Sequence, residues 1–153
     1  MQPSYPARTL DELVQKSALI VHAKKIGENP ARMDDRLDAA VTDYHFEVLD
    51  IYHGDKKVGD TITVEFDYGT VDGTAYGSGA YRVLENGREA LMILSYPTDA
   101  EDEITTTERY VFYPPGGIFY GTGDGQFQAL NGKVFTPSAF KEKVTTVLEN
   151  VIK

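Results

Sequence analysis

From Ala40 to Asp67 the side chains alternate between apolar and polar with a period of two, broken by one polar loop, His53 to Asp60, that holds two glycines. A period of two belongs to strands, and a break of this kind joins two strands into a hairpin. In the first strand Tyr44, Phe46 and Val48 point one way while Asp43, His45 and Glu47 point the other. Leu49 and Ile51 are then apolar on the opposite parity. A β-bulge near Val48-Leu49 resets the buried face in this way, and a long, bent strand suits a small closed barrel. In the second strand Ile62, Val64 and Phe66 are expected in the core, with Thr63 and Glu65 in solvent.

The rest of the chain fits around this hairpin. Thr9-Leu10-Asp11-Glu12 reads as a capping box opening a helix over 10–17, whose docking stripe is Leu10, Leu13 and Val14. Ser17 to Ile26, a β-branched run closed by Gly27, predicts the first strand, and 27–39, with breakers and charges, reads as a mobile connection. Residues 68–80 hold Gly69, Gly73, Gly77 and Gly79, and are expected to lack regular structure. Tyr81 to Leu84 predicts a short strand before the Asn86-Gly87 turn. Glu89 to Tyr96 contains Ala-Leu-Met-Ile-Leu, apolar on both faces, and so predicts a central strand. An acidic turn at 99–103 leads into a β-branched stretch, Ile104 to Tyr113, that Pro114-Pro115-Gly116-Gly117 stops. Short strands at 118–120 and 126–130, an Asn131-Gly132 hairpin signal and Lys133-Val134-Phe135 form a closing meander. A last helix over 138–152, capped by Thr136 or Ser138, carries the stripe Phe140, Val144, Val147, Leu148 and Val151.

These elements predict one mainly β domain over 1–153: a small OB-like β-barrel, closed or partly open, with strands within 18–135, a short N-terminal helix and a C-terminal helix. An open β-sandwich is the competing topology. At 153 residues a single core should bury roughly 70% of the surface an unfolded chain exposes, with no metal or disulfide required. The absence of cysteine removes thiol nucleophiles, thiolate zinc sites and disulfide scaffolds, and leaves the compartment open. With 15 Lys+Arg against 24 Asp+Glu the formal charge is -9. Such a chain repels nucleic acid and anionic membranes. Lys24-Lys25 and Lys56-Lys57 are its only Lys/Arg pairs, so no nucleic-acid partner is expected. No apolar run approaches the roughly 20 residues of a membrane span, and Met1-Gln2-Pro3-Ser4 shows no signal-peptide apolar region. The oligomeric state stays open.

No motif for catalysis emerges. Gly77-Ser78-Gly79 lacks the strand-to-helix context of a serine nucleophile, and Gly69 to Gly79 lacks the Lys-Ser/Thr of a phosphate loop. His22, His45 and His53 are the only histidines. His45 and His53 lie eight residues apart on one extended segment, more than about 20 Å at roughly 3.3 Å per residue, so they cannot share a metal. His22 could meet His45 across a strand pair. The acidic turns Asp34-Asp35-Arg36-Leu37-Asp38 and Asp99-Ala100-Glu101-Asp102-Glu103 supply hard oxygen ligands but not the spacing of a calcium loop. No catalytic residue, metal ligand or cofactor is therefore assigned.

Three blocks carry a resemblance. The run Thr9-Leu10-Asp11-Glu12-Leu13-Val14 to Ser17-Ala18-Leu19-Ile20-Val21-His22-Ala23-Lys24 resembles the opening of a group of largely uncharacterised bacterial exported or lipoprotein domains. Phe46 to Gly54 followed by Gly59-Asp60-Thr61-Ile62-Thr63-Val64 is similar to that group's hairpin, with His53 where the group has Lys. Ala90-Leu91-Met92-Ile93-Leu94, Gly125-Gln126-Phe127 and Asn131-Gly132-Lys133-Val134 match its central strand and closing hairpin. The resemblance implies an OB-like barrel, loosely of the netrin or tissue-inhibitor-of-metalloproteinase type, and an extracytoplasmic location. Those inhibitors insert an N-terminal cysteine into a metal site, and this chain has no cysteine.

The remaining signal is tyrosine, 10 of 153 residues, grouped around the glycine-rich stretches. Amphipathic rings on loops favour protein or sugar contacts. Tyr68, Tyr76, Tyr81, Tyr113 and Tyr120 are the expected binding residues, in a non-enzymatic extracytoplasmic domain whose partner is a protein or cell-envelope component. The alternative is a metal-dependent or hydrolytic enzyme assembled from His22, His45 and the acidic turns only in the fold.

Overall fold

The computed structural model describes residues 9–34, 39–66, 68–77, 84–99, 101, 103–112, 117–129 and 133–152. It is mainly β, about half strand, with a short helix near the N-terminus and a longer one near the C-terminus. The helix α1 (Leu10–Gln15) starts as its capping box requires: Thr9 Oγ1 accepts from the Glu12 backbone N–H at 3.1 Å. Strands β1 (Leu19–Glu28), β2 (Arg32–Asp34), β3 (Ala39–His53) and β4 (Thr61–Phe66) follow, then β5 (Tyr68–Val71) and β6 (Thr74–Gly77). The chain continues through β7 (Glu89–Leu94), β8 (Ile118–Gly121), β9 (Phe127–Ala129) and β10 (Val134–Phe135) into α2 (Pro137–Ile152).

The main sheet runs β10-β9-β8-β7-β1-β3-β2, with β4 also paired to β3, and every named pair is antiparallel. No closed barrel is found. Two residues nevertheless link the edge of β4 to the end of β7. Tyr110 N–H donates to Thr63 O at 2.9 Å and Glu65 N–H donates to Tyr110 O at 2.8 Å, while Ser95 and Val111 exchange both of their backbone bonds. The β-branched stretch expected at 104–113 is thus reduced to isolated bridges, at Ile104, Tyr110 and Val111, among its described residues.

Two cores lie on opposite faces of β1 and β7. Leu19, Val21 and Ala23 face one core with Ala90, Met92 and Leu94, joined by Tyr44, Phe46, Val48, Ile62, Val64 and Phe66. Ile20, Leu91 and Ile93 face the other, beneath α1 and α2. Double burial explains the unbroken Ala-Leu-Met-Ile-Leu run and places β7 between β1 and β8. The expected bulge is present: Ala23 pairs with Val48 and His22 with Asp50, so Leu49 is skipped and the buried parity changes to Ile51.

Three expectations are corrected. The connection 27–39 contains β2, paired through Arg32 to Val41, Met33 to Ala40 and Asp34 to Ala39. The stretch 68–80 contains the hairpin β5–β6, a separate two-stranded sheet. Its turn, Asp72-Gly73, has φ of 51° and 79°, the positive pair that a two-residue type I′ turn needs. Third, Glu65 is 5% exposed rather than solvent-facing. The Tyr81–Leu84 strand and the Asn131-Gly132 turn fall largely or wholly outside the described residues, as does the side chain of Val151.

The helix α2 is held by Phe140, which is fully buried with its ring centroid 5.2 Å from Phe119 and 5.7 Å from Tyr52. Its N-terminus is capped by Thr136, whose Oγ1 accepts from Ala139 N–H at 3.1 Å. Replacing Phe140 with Ala removes the ring that joins helix to sheet. It should cost about 3–5 kcal/mol in urea unfolding monitored by circular dichroism. A loss within experimental error would mean that α2 is not docked on this face.

Candidate functional site

The tyrosines expected to bind from two glycine-rich loops are not alike. Tyr68 begins β5 and is partly buried; its hydroxyl meets that of Tyr44, and its ring stands edge-on to Phe66 at 6.0 Å. Tyr76 lies in β6, half-buried. Tyr120 is in β8 and 4% exposed, turned into the main core, which makes it a packing residue rather than a surface ring. Tyr81 and Tyr113 lie outside the described residues. What the structure retains of the glycine–tyrosine signal is therefore the β5–β6 hairpin. Its root is fixed by Tyr68 and by the Thr42 hydroxyl, which donates to Tyr68 O at 2.7 Å, while Thr70, Asp72, Thr74 and Ala75 are exposed.

Beside that root lies an ionic cluster that the alternation did not reveal. Asp43 and Glu65 are direct cross-strand partners on β3 and β4, and both are buried. Like charges opposite one another repel, and burial strengthens the repulsion. Arg32 on β2 resolves it. Its Nε and Nη2 donate to the two Asp43 oxygens at 3.1 and 3.2 Å, and Nη2 also donates to Glu65 Oε1 at 2.7 Å. Nη1 reaches Asp34 at 3.4 Å, and Arg109 Nε sits 3.5 Å from Glu65. The carboxylates hold the Arg32 guanidinium still more firmly protonated than usual, chiefly through the Asp43 hydrogen bond. Asp34, from the first of the two acidic turns, belongs to this cluster.

A second interior charge is Lys25, which is 2% exposed. Its Nζ donates to Glu28 Oε1 and to Leu84 O, both at 2.6 Å, and stands 3.9 Å above the Tyr44 ring. Burial pushes the Tyr44 hydroxyl up to about 12, and does the same for Tyr52. Tyr110, stacked on Tyr96 at 5.2 Å, is raised for the same reason.

The histidines go to separate places. β1 and β3 do pair, but His45 faces Gly27 and His22 faces Asp50, so His22 and His45 do not meet. The His45 ring bonds Thr63 Oγ1 at 3.0 Å and Asn29 Oδ1 at 3.1 Å. In the other acidic turn, Asp99 Oδ1 accepts from the backbone N–H groups of Glu101 and Glu103 at 2.9 and 3.0 Å. Among the described residues no group of three or more His, Asp or Glu is placed to hold a metal ion.

His22 lies on the helix-covered face of β1, beyond the point where that cover ends. There its Nε2 is 2.6 Å from Glu89 Oε1, and the Phe127 ring meets it edge-on at 5.1 Å. The pair opens on a cleft of about 210 Å³ bounded by Arg88, the β8–β9 turn and Pro137. Gly121 is required at its wall, because a Cβ there would come within 2.9 Å of Glu89 O. In the turn, the Thr122 hydroxyl and Gln126 N–H both donate to Asp124, holding its carboxyl below the usual range. Sequence reasoning noted His22 but missed Glu89 as its partner. The two are diagonal neighbours across β1 and β7, a relation fixed only by the register.

No family model matches this chain, and neither curated proteins nor solved structures give a match. No helix among the described residues is long and apolar enough to cross a membrane.

Arg32→Ala should remove the cation that bridges Asp43 and Glu65 and leave their mutual repulsion less compensated. The expected loss is about 2–3 kcal/mol, below the roughly 3–5 of a fully buried pair because Arg32 is 34% exposed. Chemical denaturation of Arg32→Ala beside the double variant Arg32→Ala/Glu65→Gln measures it. The double variant should recover part of the loss, and equal stability of the two would remove the repulsion argument.

Proposed function

We propose that this protein is a non-enzymatic, extracytoplasmic binding domain built on an OB-like, partly open barrel, and that the β5–β6 hairpin engages a protein or cell-envelope component. The order of pairings supports the barrel reading. Passing from β7 through β1, β3 and β4 to Tyr110–Val111 and back to the end of β7 follows a ring of five segments, in which the β4–Tyr110 step is parallel. Resemblance to exported bacterial domains, together with the acidic charge, supports the location.

The observation that carries the binding reading is the hairpin itself. It stands outside the main sheet, its root is anchored in the core through Tyr68, and it lies beside an ionic cluster that pins β2, β3 and β4 together. A rigid base with a polar, exposed tip loses little conformational entropy on binding. The enzymatic alternative draws on the His22–Glu89 pair. Its cleft, however, is lined by no hydroxyl or thiol side chain among the described residues, so none of these offers the pair a protein nucleophile to activate.

Pull-downs from bacterial envelope extract and glycan arrays test the reading, with the whole chain compared against Thr74→Lys/Tyr76→Ala. The hairpin variant should recover the captured component about tenfold less well, as expected for an aromatic contact at a binding surface. Equal recovery by both proteins, or capture of nothing by the unaltered chain in either format, would overturn it.

A further inference from the structure

The cleft beside His22 has a chemistry of its own, separate from the hairpin. Three side chains of its wall differ in what they can recognise. Arg88 is exposed and carries no ion pair or side-chain hydrogen bond among the described residues, leaving a planar cationic fork that matches a carboxylate. Glu89 uses Oε1 on His22 and retains a second acceptor oxygen. An ionised carboxylate only accepts, so the short bond requires the proton on His22 Nε2. His22 Nδ1 has no hydrogen-bond partner among the described residues, and can meet a ligand hydroxyl as acceptor in the neutral ring or as donor in the imidazolium. The Phe127 edge and the Glu89 bond fix the ring from two sides, so this nitrogen is preorganised.

A cation beside a carboxylate oxygen and an imidazole nitrogen calls for a ligand with one anionic group and neighbouring hydroxyls, which both donate and accept. The size sets a limit: about 210 Å³ is below the roughly 300–1,000 Å³ of pockets for drug-sized molecules, and suits a single sugar ring. We propose that this cleft binds a sugar acid, with Arg88 on its carboxylate and His22 and Glu89 on its hydroxyls. The acid is either a free monosaccharide or one uronate residue of a glycan.

The whole chain, labelled for nuclear magnetic resonance, would be titrated with galacturonate, galactose, acetate and a short oligogalacturonate. Galacturonate should move the His22 imidazole and Arg88 guanidinium signals, with galactose and acetate each weaker by about tenfold or more, since each lacks half of the contacts. Arg88→Ala, a change at an exposed position, should bring galacturonate down to the level of galactose. Glu89→Gln should weaken both sugars while leaving the preference for the acid. Binding of the oligomer in the same place would identify a glycan residue as the source, and binding of the monomer alone a free sugar acid. Acetate as strong as galacturonate would reduce the cleft to an anion contact. That result, an Arg88→Ala titration unchanged from the original, or no movement of the His22 signals at millimolar galacturonate would overturn the proposal.

Discussion

The structure depends on two strands that are buried on both faces. β1 and β7 present Leu19, Val21, Met92 and Leu94 to one core, and Ile20, Leu91 and Ile93 to another. A strand of this kind cannot lie on the surface of a sheet, because each large aliphatic side chain left in water forgoes about 1.5–3 kcal/mol. One face is therefore enclosed by the curl of β3 and β4, and the other by α1 and α2. The position of the His22 cleft follows from the same arrangement: it forms where the helix cover ends and the face turns polar.

Curling has a local cause and a local consequence. The skipped residue in β3 lets one strand face the main core first through Tyr44, Phe46 and Val48 and then through Ile51. The twisted hairpin that results brings Asp43 and Glu65 opposite each other in the interior, where only a cation can hold them. Arg32 comes from a short strand on the preceding connection, so that a charged segment is ordered by electrostatics rather than by apolar burial. This ionic joint connects the sheet to the base of the β5–β6 hairpin. It gives the exposed tip a fixed platform.

Elements with strong local signals were legible in the sequence. The capping box at Thr9, the alternation of 61–66, the bulge near Val48-Leu49, the two-faced run at 90–94 and the Phe140 stripe all express periods or caps that hold within one segment. The hairpin at 68–77 was also written there, as Asp72-Gly73, but four glycines in one stretch obscured that two-residue signal. The parts that escaped depend on partners far along the chain. Glu65 reads as a solvent residue until Arg32 is placed beside it, and Lys25 reads as a surface charge until Tyr44 and Leu84 close over it. His22 and Glu89 are 67 residues apart, and no local pattern announces their meeting. Tyr120 was miscast for the converse reason: a ring next to glycines resembles a loop contact, yet its strand turns it inward.

Amide hydrogen exchange under native conditions, followed residue by residue, probes the double burial most directly. The amides of Leu19–Ala23 and Ala90–Leu94 should exchange only through complete unfolding, with opening free energies equal to the global stability, while Thr70–Ala75 exchange through local opening. Rapid exchange along β7, comparable to that at the hairpin tip, would contradict an architecture organised around two strands enclosed on both sides.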